Sequence, residues 1–357
     1  MIEALALAGR GAGRTRPNPP VGCVVVREGR RVGQGFHRAA GAPHAEIVAL
    51  RDAGEQARGA DLYVTLEPCS TSGRTPPCTD ALLAAGVRRV IVGTVDPNPA
   101  HAGRGLRQLR VGGVEVTRGV CRYEAETLIA PFGKWITTGR PWITLKMAIS
   151  LDGAIADRRG RSQWITGVPA RRWVDQLRSG VDAIMVGAGT ACADNPGLMP
   201  RNRRRPTAHR VVVDSSGRLP LKAKLLTDAY APLTVVATTA ACSLERQADY
   251  EGSGAAVWAL PRKGHHVSLR SLVRQMGLAG WLHVLCEGGG ELGASLLREG
   301  LVDELVVLVA PLVIGGQRAR PAIGGSGWLL AQAPRFEPVE QRLLGEDVLM
   351  RLRPRSQ

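Results

Sequence analysis

Three short runs within 35 residues have side chains able to hold a metal and move protons: His44-Ala45-Glu46, Glu67-Pro68-Cys69 and Pro77-Cys78. One imidazole and two thiolates fill three tetrahedral positions of Zn²⁺. The fourth stays open for water, as a catalytic rather than a structural site requires. Water on such an ion ionises near neutral pH. Glu46 sits two residues from His44 and is not itself expected as a ligand, which suits it to carry protons between that water and a departing group. Each part alone has a plainer reading: a histidine that caps a helix, two cysteines that pack. Their co-occurrence in one stretch points to a catalytic metal.

A second run, Glu287-Gly288-Gly289-Gly290, stands between an apolar β-rich segment and a helical one. Glycines let backbone amides approach a ligand closely, and a helix N-terminus favours anions. The run lacks the G-x-G-x-x-G spacing, so on the residues alone a plain turn stays open beside a dinucleotide site.

The elements that must position these runs follow from period and punctuation. In the first 120 residues, β-rich segments at 21–26 and 31–37 flank the turn Glu28-Gly29. A helix is expected over 46–58 with Ile47, Leu50 and Ala53 on its inner face, then strands at 62–66 and 90–95 around a short helix at 79–85. Helical spacing at 123–128 breaks down before Thr137-Thr138-Gly139-Arg140-Pro141, which places a domain boundary near 140. A second α/β series follows, with strands at 143–147, 183–186, 210–213, 234–237, 256–260, 283–286 and 304–309. Its helices are expected at 169–178, 268–276 and 291–299. Both halves read as α/β layers with parallel or mixed sheets.

At 357 residues the chain exceeds what one hydrophobic core usually serves, so two domains are expected. No apolar run is long enough for a membrane span, and the first residues lack the pattern of a secretion signal. Seven scattered cysteines, at 23, 69, 78, 121, 192, 242 and 286, argue against a disulfide framework and for a reducing cytoplasm. The net charge of +16 is shared by both halves. Residues 1–140 carry 19 basic and 12 acidic groups, and residues 141–357 carry 28 and 19. It is not gathered into a nucleic-acid-binding arm; its longest run, Arg203-Arg204-Arg205, reads as a surface loop. Basic character suits phosphorylated small molecules equally well.

The zinc nucleobase deaminase signature is H-x-E…P-C-x-x-C, and eight residues between Cys69 and Cys78 depart from it. A tRNA or single-stranded-DNA deaminase needs the short spacing and aromatic platforms, whereas Tyr63 is the only aromatic between 37 and 122. The longer spacing, in Thr65-Leu66-Glu67-Pro68-Cys69-Ser70 and Gly73-Arg74-Thr75-Pro76-Pro77-Cys78, resembles the bifunctional riboflavin-biosynthesis deaminase/reductases. So do Pro17-Asn18-Pro19-Pro20-Val21-Gly22, Gly35-Phe36-His37 and Asp96-Pro97-Asn98-Pro99. In the second half the resemblance runs through Lys146–Gly153, Ser162-Gln163-Trp164-Ile165-Thr166, Val186–Thr190, Ala193–Leu198, Val213-Asp214-Ser215, Glu287-Gly288-Gly289 and Leu301–Leu305, and it covers nearly the whole chain.

That resemblance implies a cytidine-deaminase-like domain over 1–140 and a dihydrofolate-reductase-like domain over 141–357. It implies zinc on His44, Cys69 and Cys78, Glu46 as proton shuttle, and Asn18, His37, Arg74, Asp96 and Asn98 around the deaminase substrate. It further implies NADPH against Ala148, Trp164, Thr190, Asp194, Ser215 and the turn containing Gly289, Gly290, Gly293 and Ser295. The reductase substrate would then lie on Ser162, Arg178, Leu198, Arg201 and Glu287, with Arg178 and Arg201 forking onto its phosphate. Asn18 and Asp96 also read as turn residues, Trp164 as a core aromatic and Arg178 as a solvated helix residue. The expected reactions are hydrolytic deamination of 2,5-diamino-6-ribosylamino-4(3H)-pyrimidinone 5′-phosphate, then reduction of its ribosyl group to ribityl. Partners would be phosphorylated pyrimidines, with no nucleic acid and no membrane, and the chain a homo-oligomer. A deaminase whose second half merely binds stays open. The family usually has His at Thr71 and Asp at Asn195.

Overall fold

Glu28 and Gly29 both take positive φ (51° and 75°), the left-handed pair that reverses a hairpin in two residues. They join strand β1 (Gly22–Arg27) to β2 (Arg30–Phe36) in antiparallel register. The computed structural model describes residues 1–71, 76–200 and 208–355. Arg74, Arg201 and the 203–205 run lie outside the described residues. The chain divides into two compact units, Met1–Gly139 and Arg140–Gln357.

In the first unit β3 (Asp61–Leu66) pairs antiparallel with β1, then parallel with β4 (Arg89–Thr94) and through it with β5 (Glu115–Arg118). The sheet order is β2-β1-β3-β4-β5. The helix expected over 46–58 is Ala45–Ala53, followed by a 3₁₀ turn at Gly54–Ala57. Its buried face is also shifted: Ala45, Glu46, Ala49 and Ala53 point inward, while Ile47 and Leu50 are half-buried. Close packing decides this. A Cβ at Gly33 or Gly35 of β2 would stand 2.4 Å from the carbonyl oxygens of Ala49 or Ala45, so glycine on the strand and alanine on the helix let the two backbones meet. The helical stretch at 123–128 continues to Thr138, with Pro131 inside it, and stops at left-handed Gly139.

The second unit is built on one nine-stranded sheet. Seven strands run parallel in the order Ala256–Ala259, Thr234–Thr238, His209–Val213, Ala183–Gly187, His283–Cys286, Trp142–Ser150 and Glu304–Ala310. Side chains alternate between two cores. Met185 and Val211 join one with Ile143 and Leu145, whereas Ile184, Val186 and Val212 join the other with Leu285. Burial on both faces explains the continuous apolar runs. The antiparallel edge, Asp347–Pro354 beside Phe336–Leu344, was not anticipated from sequence; much of the outer strand is exposed and polar, which hides its period. Among the described residues no helix is long and apolar enough to cross a membrane.

Candidate functional site

His44 is the N-cap of the helix Ala45–Ala53, Cys69 follows β3, and Cys78 opens the helix Cys78–Ala85. Their ligating atoms all lie within 4.8 Å of one another. His44 Nδ1 stands 3.2 Å from Cys78 Sγ and 3.5 Å from Cys69 Sγ, and the Cys78 amide donates to Cys69 Sγ at 3.3 Å. Hydrogen bonds from the Cys78 thiol and from His44 outweigh burial and hold the Cys69 thiol well below the usual thiol range. Cys78, as the donor of that pair, is pushed up. The histidine, Cys69 and Cys78 form a donor set that fits zinc. Glu46 is 4% exposed, and burial pushes its carboxyl up to about 7, where it can both accept and return a proton.

The other residues expected around this site sort themselves by geometry. Asn18 Nδ2 lies 3.2 Å from His37 Nε2, His37 Nδ1 lies 3.2 Å from the Pro43 carbonyl, and the rings of His37 and His44 meet edge-on at 5.5 Å. These residues form one wall beside the ligands. Asp96 accepts from the Asn98 amide at 2.8 Å, and Asn98 accepts from the Ala100 amide at 3.0 Å, so both also act as turn residues. Glu67 has a role that its place in the Glu67-Pro68-Cys69 motif does not specify. Its buried carboxylate accepts from the amides of Asp96, Gly103, Gly105 and Leu106 at 2.9–3.3 Å, which ties the Asp96 turn to the metal-ligand loop. Its place beside Pro68-Cys69 was the available signal.

In the second unit a cleft of about 1630 Å³ opens where the parallel strands end. Ligand clefts in open α/β sheets lie at carboxyl ends of strands. Ala148, Trp164, Thr190, Asp194, Ser215, Gly289, Gly290 and Ser295 line it, and so do Ser162, Arg178, Leu198 and Glu287. Gly293 does not. A Cβ there would stand 3.0 Å from Met147 Cε, so this glycine lets the helix Gly290–Arg298 pack on the central strand. Trp164 is no core aromatic: it is 59% exposed, with the Arg171 guanidinium 4.7 Å from its ring centroid. Ser162 donates to Asp194 at 3.2 Å, and Ser215 accepts from the Val267 amide at 3.0 Å.

Arg178 lines the cleft with two of its five N–H groups engaged: Nε and Nη2 donate to the two carboxylate oxygens of Glu287 at 2.5 and 2.7 Å, so the two residues expected on the substrate meet as an ion pair. Burial alone would raise the Glu287 carboxyl, but Arg178 first and Lys146 after it hold it at about 2. Lys146 is a further ionisable group here that residue type and spacing do not single out. It lines the cleft on the central strand, and burial lowers its ammonium pKa, with Glu287 opposing.

The ion pair gives a pH expectation. Because the folded-state pKa of Glu287 lies below the ordinary 4.5, its stabilisation is complete above that value and disappears as pH falls through about 2. Arg178→Ala leaves a buried carboxylate without its fork and should destabilise the fold by about 3 kcal/mol. Urea unfolding of the wild type and Arg178→Ala should show that difference at pH 7 and a smaller one at pH 3. An equal difference at both would remove the ion pair as its cause.

Both units match known protein families. The model of the cytidine and deoxycytidylate deaminase zinc-binding region matches residues 1–94, and the RibD C-terminal domain model matches residues 141–350. The riboflavin biosynthesis protein RibD of Escherichia coli is 41% identical over 367 residues, covering 99% of this chain and 98% of its own length. The chain belongs to the RibD family. The RibD of Actinobacillus pleuropneumoniae is likewise 41% identical, covering 98% of this chain and 93% of its own. A solved RibD from Acinetobacter baumannii superposes with TM-score 0.86 at 39% identity, over 99% of this chain and 98% of that one. The deaminase/reductase of Thermotoga maritima gives TM-score 0.86 at 34% identity, over 99% and 97%. As a RibD-family member the chain is a bifunctional riboflavin-biosynthesis enzyme, with a zinc-dependent deaminase domain of cytidine-deaminase-like fold and an NADPH-dependent reductase domain of dihydrofolate-reductase-like fold.

Proposed function

We propose that the two activities divide near residue 140, with deamination carried by residues 1–140 and reduction by 141–357, acting in that order on one phosphorylated pyrimidine. The convergence of His44, Cys69 and Cys78 within 4.8 Å beside buried Glu46 carries this reading. His44, Cys69 and Cys78 would hold zinc, which supplies the Lewis acidity that turns water into a nucleophile at neutral pH. Glu46 takes a proton from the attacking water and delivers one to the ring amine of 2,5-diamino-6-ribosylamino-4(3H)-pyrimidinone 5′-phosphate. A C–O bond forms, the C–N bond breaks, and ammonia leaves. His37 and Asn18 orient the base, while Asp96 and Asn98 stand where the phosphoribosyl part would extend.

In the cleft, NADPH supplies the hydride that the sugar carbon accepts as the ribosyl group opens to ribityl. Trp164, Ala148, Thr190, Asp194, Ser215 and the Gly289–Gly290 turn hold the cofactor in this reading, and Ser162, Arg178, Leu198 and Glu287 the substrate. Lys146, half-buried in the cleft and within reach of the Glu287 charge, would give a proton to the oxygen released from the ring. Small molecules, rather than nucleic acid, are the partners proposed, since Tyr63 is the only aromatic between 37 and 122 and offers no stacking platform. A cytoplasmic location goes with thiolate ligands that must stay reduced. A homo-oligomer is part of the same proposal.

One assay tests the whole reading. Purified protein given the diaminopyrimidine phosphate should release ammonia, and only then oxidise NADPH, one equivalent per ammonia. NADPH consumption with no prior ammonia release would refute the order. Fragments 1–140 and 141–357 should retain the first and second activities respectively; both activities in one fragment would reject the division.

A further inference from the structure

The loop after the helix Ala188–Asp194 presents Asp194, Asn195, Pro196, Gly197 and Leu198 to the reductase cleft. Two of these sit in the left-handed region, Asn195 at φ 41° and Leu198 at φ 53°. Asparagine tolerates that conformation, whereas a bulky leucine rarely adopts it unless its surroundings impose it. Leu198 is 4% exposed and locked in the core with Val212 and Leu225, so the backbone must bend around a fixed side chain.

Two hydrogen bonds from elsewhere in the fold hold the bend. Arg210, wholly buried on the strand His209–Val213, donates through Nη1 to the Gly197 carbonyl at 3.2 Å. Its remaining donors are committed: Nη1 and Nη2 to Asp228 at 2.7 and 2.8 Å, Nη2 to the Leu225 carbonyl at 2.9 Å, and Nε to Thr234 at 3.0 Å. The second bond runs from the Lys224 amide to Asn195 Oδ1 at 2.8 Å. Both lead to the segment 224–228. The Asn195 contact needs only an acceptor oxygen, which an aspartate would supply equally, so Asn in place of the usual Asp keeps it.

We propose that Arg210, Asp228 and Asn195 are positioning residues that clamp the Asp194–Leu198 loop onto the 224–228 segment and so set ligand affinity in the reductase cleft, Arg210 and Asp228 acting from behind its lining. An arginine bound at five points in the core cannot drift, so the Gly197 carbonyl and the wall beyond it are placed to within a hydrogen bond's tolerance. Asn195 is exposed, so its removal disturbs little else. The inference rests on the proposed reductase site.

The full-length enzyme carrying Asn195→Ala, Asn195→Asp or Asp228→Asn tests it, with steady-state reductase kinetics, melting temperature and ammonia release measured on each. Asn195→Ala should raise the KM of the pyrimidine substrate or of NADPH roughly 3- to 10-fold, the scale of one lost hydrogen bond. Its kcat should stay within about twofold and its melting temperature should not move. Asn195→Asp should behave as wild type, and Asp228→Asn should raise KM at least as much as Asn195→Ala. Unchanged KM in both Asn195→Ala and Asp228→Asn overturns the clamp, as does a loss confined to kcat or one that Asn195→Asp shares. Ammonia release reports on the other site. If the wild type itself fails to oxidise NADPH, it is the reductase reading that falls.

Discussion

Cys69→Ala and Cys78→Ala are each expected to lose zinc and deaminase activity together, while oxidation of NADPH with deaminated substrate should persist. Three protein donors converge within 4.8 Å, and removing one leaves two, too few to retain the ion against buffer and chelator. The effect should be near-complete because the same ion both binds and activates water. Cys78 is fully buried at the first turn of its helix, so a folding defect is the competing explanation. The reductase activity of the same chain is the control: its retention shows that the chain folds. Metal analysis after gel filtration reads the result directly, and about one zinc per chain in either variant would show that the ligand set is wrong.

Glu46→Gln is expected to do the opposite to the metal and nearly the same to the reaction. Glutamine keeps the volume and a hydrogen-bonding tip in a pocket where Glu46 is 4% exposed, so zinc should remain. What disappears is a group whose pKa, raised by burial to about 7, lets it take and return protons at neutral pH. Loss of a general acid/base of that kind slows turnover by roughly 100- to 10,000-fold. Ammonia release with zinc measured on the same sample separates the two roles. Turnover within threefold of wild type, zinc bound, would leave Glu46 without a part in proton transfer.

Much of this was legible from residue type and local spacing. Zinc chemistry follows from His, Glu and two Cys because coordination and proton transfer are properties of the side chains themselves. The strands of the parallel sheet could be read because burial on both faces leaves uninterrupted apolar runs, and the glycine-rich run after 283–286 stood out by composition alone. Departures were local too: Asn195 keeps an acceptor oxygen toward Lys224, which no spacing rule reveals.

Only the tertiary structure decided which donors were free. Arg178 and Glu287 lie 109 residues apart, and a guanidinium fork satisfied by a carboxylate cannot be told in sequence from one awaiting a phosphate. Gly293 looked like part of an anion-binding turn, yet it faces Met147, because which side of a helix meets a strand depends on the neighbouring strand rather than on the helix. The helix after His44 buries alanines rather than Ile47 and Leu50 because Gly33 and Gly35, on the strand it packs against, lack the Cβ atoms that would keep it away. Sequence determines what each side chain is able to do; long-range packing and pairing determine which of those capacities remain available.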